Sequence, residues 1–373
     1  MKNDWKYCSL AISIAISGLA ALEIYCSSII QKRYFNEAWE FRDNKLHRIS
    51  ITQEAIKDPN TLLMFGSSEL LADVPFKGVD FFSTKPFGFH LFPIGKAGTS
   101  CFSFVQKIGA QQIPKNTPLV ISLSPSFFLT KAIKKEYVIG NSSLMQMYQI
   151  LLGTYSLEFK RKFLKRVENF EEFTKQDWQL NTLKYCLEKN LILYYMLYPY
   201  FWMQQRIEIS KDIVESAIAL EHDHKKQTNL SVLDWTVLLE EANKISVRKY
   251  KVPITNTRTE KEFTETLDSA EEWLDLEMLL DLLEERKIPA LILSMPIHTD
   301  ILKSQGISDR AMAMYENKLK QIVTAKRMHC FYFKEFENNV DFFLDNGDHL
   351  SSKGWIEYNK KIVEYWNACS RKN

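Results

Sequence analysis

Apolar residues fall along this chain in three patterns, and each predicts a different kind of element. Short unbroken runs come first: Thr61 to Phe65, Leu119 to Leu123 and Ala290 to Met295, each bounded by Pro, Gly or polar residues. Continuous rather than alternating apolarity predicts strands of a parallel sheet covered on both faces. Met328 to Phe333 is a fourth strand candidate. Helical spacing is the second pattern. From Glu260 to Arg286, Phe263, Leu267, Ala270, Trp273, Leu274, Met278 and Leu282 form one stripe leading into the strand at Ala290, as in the crossover helix of a βαβ unit. The chain closes on a helix from Lys353 to about Cys369, striped by Trp355, Ile356, Ile362, Val363 and Trp366, with Ser351 or Ser352 as its N-cap. Residues from about 135 to 259, rich in Tyr, Leu and Lys, predict a helical insertion between the core halves at about 58–134 and 260–373.

The third pattern is a near-continuous apolar segment, Tyr7 to Ile30, long enough to cross a bilayer core of roughly 30 Å. Its blemish is Glu23, a costly carboxylate in a span unless it reaches the interface or a partner helix. Lysines and arginines flank both ends, so the charge bias gives no orientation. A cleaved signal peptide is the competing reading, with small residues around Gly18 to Ala21. The anchor is preferred because apolar character continues through Ile24, Tyr25, Ile29 and Ile30. This gives a membrane anchor at 1–35 and a second unit at 36–373. Leu191 to Met203 is too short to span and contains Pro199; it reads as helix core by default, or as an interfacial patch.

Composition narrows the function classes. With 48 basic against 46 acidic residues, no basic footprint for nucleic acid exists. Six cysteines lie far apart without a C-x-x-C pair or zinc spacing, so neither a metal nor a cofactor is expected, and buried thiols are the default reading.

Two motifs carry chemistry. Gly66-Ser67-Ser68-Glu69-Leu70 follows the first strand directly. A strand-to-helix turn exposes a hydroxyl and turns unbonded backbone N–H groups toward a developing oxyanion, so Ser68 is the candidate nucleophile; an isolated G-S-S more often just caps a helix. Asp345-Asn346-Gly347-Asp348-His349-Leu350 precedes the final helix. A carboxylate a few residues before a histidine can hold the imidazole with one nitrogen facing the nucleophile.

Taken together with Pro93-Ile94-Gly95-Lys96-Ala97-Gly98-Thr99-Ser100 and the strand end Leu123-Ser124-Pro125, these motifs resemble the DltD family of D-alanyl-lipoteichoic-acid biosynthesis, itself similar to the SGNH (GDSL-type) esterases and acyltransferases. The resemblance implies an α/β fold with an SGNH-hydrolase-like three-layer core, a central parallel sheet, a helical insertion and one N-terminal transmembrane helix. It implies Ser68 as nucleophile, His349 as general base and Gly98 as an oxyanion-hole donor. The family's Asp-x-x-His spacing falls on Asn346, which leaves Asp345 as the first candidate orienter of His349 and Asp348 as the second. The family's Ser-Pro-Gln-Trp-Phe stands here as Ser124-Pro125-Ser126-Phe127-Phe128, so Ser126 occupies the place of the third oxyanion donor. The implied function is a membrane-anchored, extracytoplasmic serine acyltransferase or esterase. It would pass D-alanyl or another small acyl group to an envelope polymer such as lipoteichoic acid, with a membrane-bound O-acyltransferase as partner. The alternatives are a non-catalytic adaptor that presents the polymer, and a secreted esterase.

Overall fold

The computed structural model describes residues 4–33, 48–71, 74–221, 234–245, 259–344 and 349–370. Five parallel strands form one sheet in the order β2-β1-β3-β4-β5: β1 Thr61–Gly66, β2 His90–Gly95, β3 Leu119–Leu123, β4 Ala290–Ser294 and β5 His329–Tyr332. Alternate residues of the central strands feed two separate cores. Leu63, Phe65, Leu119, Ile121 and Ile292 join the larger one, with the helices Cys101–Gly109, Glu272–Arg286 and Asp309–Ala325. Leu62, Met64, Val120, Leu291 and Leu293 join the other, under the final helix Ser352–Ser370. The result is the three-layer α/β arrangement expected from unbroken apolar strands. Each of these fully buried side chains contributes roughly 2 kcal/mol.

One strand and one helix differ from what the sequence predicts. β2 was invisible as a strand because Pro93 interrupts it. Its position at the sheet edge explains why the missing N–H is tolerated there. The single helix expected over 260–286 is two, Glu260–Ser269 and Glu272–Arg286. At the break the Glu271 N–H turns away to the Lys131 carbonyl at 2.9 Å, and the Trp273 indole N–H donates to the Leu267 carbonyl at 2.7 Å. Both bonds replace helical ones.

The apolar N-terminal segment is one helix, Asp4–Arg33, of which Lys6–Lys32 is long and apolar enough to cross a membrane. Leu191–Met203 opens a second long helix, Leu191–Glu221, with Pro199 inside it. Core packing accounts for only one face of it. Tyr194 and Phe201 are buried, whereas Ile192, Tyr195, Met196, Trp202 and Met203 are exposed. Glu23 does meet a partner helix, pairing with Arg206 of this same segment.

Candidate active site

A parallel sheet turns the carboxyl ends of all its strands to one edge, and ligand-handling loops gather there in open α/β folds. Ser68, Gly98 and Ser126 leave that edge from three neighbouring strands, β1, β2 and β3.

The turn after β1 is built around glycine. A Cβ on Gly66 would stand 2.5 Å from Oε1 of Glu69, so the bare backbone leaves room for that carboxylate. The Ser67 N–H donates to the same oxygen at 2.9 Å, and Ser67 Oγ donates to the Lys96 carbonyl at 3.3 Å. Ser67 is buried and its hydroxyl is committed to the β2 loop, whereas Ser68 is half-buried and begins the 3₁₀ turn Ser68–Leu71. Of the two serines, the second is the more exposed.

Glu69 is the participant that sequence reasoning passed over. Its carboxylate is buried and hydrogen-bonds the Ser122 hydroxyl on β3, to which Tyr358 of the final helix donates at 2.7 Å. One chain of hydrogen bonds thus ties the β1 turn to β3 and to the last helix. Burial pushes the Glu69 carboxyl above its ordinary value, opposed by Ser122, by the backbone amides of Ser67 and Glu69, and by the charge of His349. The only signal in the sequence was the E of G-S-S-E-L, which no periodicity marks as buried.

His349 is half-buried on the loop before the final helix, and its backbone is fixed on both sides. The Leu344 N–H donates to the His349 carbonyl at 2.8 Å, Phe343 and Leu350 form an antiparallel bridge, and the Ser351 N–H donates to the Phe342 carbonyl at 2.8 Å. Ser351 Oγ accepts the Gly354 N–H at 3.3 Å, which makes Ser351 the cap of the final helix. Asp345 and Asp348 lie outside the described residues.

Gly98 has φ +79°, and a Cβ there would stand 2.5 Å from the Tyr137 ring. Its turn is closed by Thr99, whose N–H and Oγ1 both donate to the Lys96 carbonyl, at 3.0 and 2.6 Å. Asn141 steadies it from behind: Nδ2 donates to the Ala97 carbonyl at 3.3 Å and to the Tyr137 carbonyl at 2.8 Å. The Asn141 carbonyl in turn accepts from Nζ of Lys107 at 2.7 Å. Lys107 is buried, and desolvation brings its ammonium down from 10.5 to about 7. Between those values the unfolded chain binds a proton that the folded chain does not, so Lys107 costs stability as pH falls from 10.5 towards 7 and by a constant amount below that. The stability of the wild type relative to Lys107→Met, followed by melting at each pH, should therefore rise between pH 7.5 and 9.5 by on the order of 1 kcal/mol per pH unit. A pH-independent difference would mean that Lys107 keeps its proton when folded.

Ser126 is exposed in the 3₁₀ turn Pro125–Phe127, its Oγ 2.6 Å from Oγ of Ser124. At the end of β4 stands a second histidine that no motif marked. His298 is buried, accepts the Asp300 N–H on Nδ1 at 3.2 Å, and meets Phe343 edge to face at 5.4 Å. Burial lowers its pKa, with the nearby Asp300 carboxylate opposing the shift. Among the described residues no group of His, Cys, Asp or Glu is gathered for a metal ion.

Comparison with known proteins identifies the family. The family model described as DltD protein matches residues 38–367. A protein of Bacillus subtilis (strain 168) named Protein DltD is 22% identical over 375 residues, covering 91% of each chain. The family match takes in both halves of the sheet, the glycine-built turn of Ser68 and the loop of His349, and on that extent this chain belongs to the DltD family.

Proposed function

We propose that this protein is a membrane-anchored serine acyltransferase of the D-alanylation of teichoic acids, the process with which its family is associated. The observation that carries the reading is the half-buried Ser68 at the carboxyl edge of the sheet. The hydroxyl opens the turn after β1, and the imidazole acts electrostatically on the carboxylate next to it.

In the cycle this supports, His349 takes the proton of Ser68 as the oxygen attacks an acyl ester or thioester. The N–H groups of Ser68 and Gly98 receive the oxyanion, with Ser126 beside them. Collapse breaks the bond to the leaving alcohol or thiol, which departs with the proton from His349. The acyl-serine remains. A polymer hydroxyl then gives its proton to His349 and attacks the acyl carbonyl, and Ser68 leaves and recovers the proton. Asp345 or Asp348 orients the imidazole. The helix Asp4–Arg33 holds the site at the outer membrane face, beside a membrane-bound O-acyltransferase that supplies the acyl group.

A fluorophosphonate probe tests the pairing directly, because it reacts only with an activated serine. Mass analysis of the labelled chain is expected to place the adduct on Ser68. His349→Gln should slow labelling by about 10²-fold or more, the size of a lost general base. An adduct on another serine, or an unchanged rate in His349→Gln, overturns the reading.

A further inference from the structure

The N-terminal helix and the long helix Leu191–Glu221 meet at a definite level, and that level has a consequence for the membrane. From Tyr7 to Ile16 the apolar side chains of the first helix are exposed, and Leu19 and Leu22 beyond them face the long helix across a cleft. The first polar tie to the folded body is Glu23, which pairs with Arg206 and accepts a hydrogen bond from Ser210 at 3.4 Å. Cys26 and Ile30 beyond it are buried.

If a bilayer covers the first helix up to Leu22, residues within one turn of Arg206 necessarily lie at its surface. Those residues are Trp202, Met203 and Ile207, all about half exposed, with Ile24 and Tyr25 exposed at the same level on the first helix. The segment Leu191–Gln205 has no charged side chain, and charge resumes at Arg206. An uncharged helical face carrying Trp and Met above an Arg is the composition that headgroup layers accept, rings in the interface and the cation toward phosphate. Between the two helices lies a cleft of about 390 Å³. Leu19, Leu22, Ile207 and Val214 form its apolar walls, with Glu23, Ser210, Lys211 and Glu215 at the polar rim.

From this we infer that the long helix is a second membrane-contacting element: its turn 202–207 rests in the headgroup layer beside the first helix, and the cleft between them is filled by lipid acyl chain. The inference rests on the first helix crossing the bilayer, and two tryptophans separate the two claims. The full chain is placed in nanodiscs of ordinary lipid, and of lipid brominated on the acyl chain near the headgroup. Trp5, in the first turn of the first helix, and Trp202 are each isolated as the difference between wild type and the Trp→Phe variant. The Trp202 emission is expected to fall by at least half in brominated lipid and to resist acrylamide. Trp5 quenched by bromine with Trp202 unquenched and open to acrylamide overturns this inference alone and leaves the anchor standing; that face would then belong to a protein partner. Neither tryptophan quenched overturns both.

Discussion

Cells whose only copy of this protein carries Ser68→Ala are expected to lose ester-linked D-alanine from the envelope, with transfer reduced at least about 10³-fold, the scale for removal of a covalent nucleophile. The readout is D-alanine released from purified polymer by mild alkali. The fold should not suffer. Ser68 is half-buried at the start of a turn whose hydrogen bonds are made by the Ser67 amide and hydroxyl and by the Glu69 carboxylate. An unchanged melting temperature therefore accompanies the lost activity. The substitution also divides the two readings of this family member. An adaptor that only presents polymer to a membrane acyltransferase needs its surface and its helices but no hydroxyl at position 68, so Ser68→Ala would leave D-alanine content near wild type. Retention of the ester in a stable, membrane-resident Ser68→Ala chain refutes the covalent mechanism.

What was legible in the sequence, and what was not, follows from how each feature is encoded. β1, β3 and β4 could be read within a residue of their ends, because a strand buried on both faces must be apolar without interruption. β2 could not, because an edge strand tolerates Pro93 and so erases its own signature. The break at Ala270 was hidden for another reason. It is made by the Lys131 carbonyl capturing the Glu271 amide, a contact between residues far apart in sequence. The same limit applies at the site. Ser68, Gly98 and His349 sit in local motifs with recognisable turn chemistry. The Glu69–Ser122–Tyr358 chain joins residues from the turn after the first strand, the third strand and the last helix, and none of the three has a neighbour that betrays it. Asn141 and Lys107, which hold the Gly98 turn from behind, are likewise products of the tertiary fold.

Gly95→Ala is expected to be the most damaging single-methyl change in the core, although position 95 carries none of the proposed chemistry. Gly95 pairs in register with Gly66 at the carboxyl ends of β2 and β1. A Cβ at 95 would stand 1.8 Å from the Gly66 carbonyl oxygen and 2.6 Å from its carbon. Both are backbone atoms of a buried strand, so no side chain can swing aside, and relief requires the strands to part. Such overpacking typically costs about 3 kcal/mol, at the upper end when backbone must move. Gly88→Ala supplies the contrast: its φ is +83°, but a Cβ there meets nothing within 4 Å. That variant should lose only about 1 kcal/mol, from left-handed strain alone. Gly66 leads directly into Ser67 and Ser68, and Ser67 Oγ bonds to the Lys96 carbonyl just past Gly95. Parting the strands therefore disturbs the turn that carries Ser68 and its tie to the loop of Gly98. Any Gly95→Ala chain that still folds should label with fluorophosphonate far more slowly than Gly88→Ala of the same solubility. Equal melting temperatures for the two variants, measured in one detergent, would mean that the close approach of β1 and β2 is not what holds this turn in place.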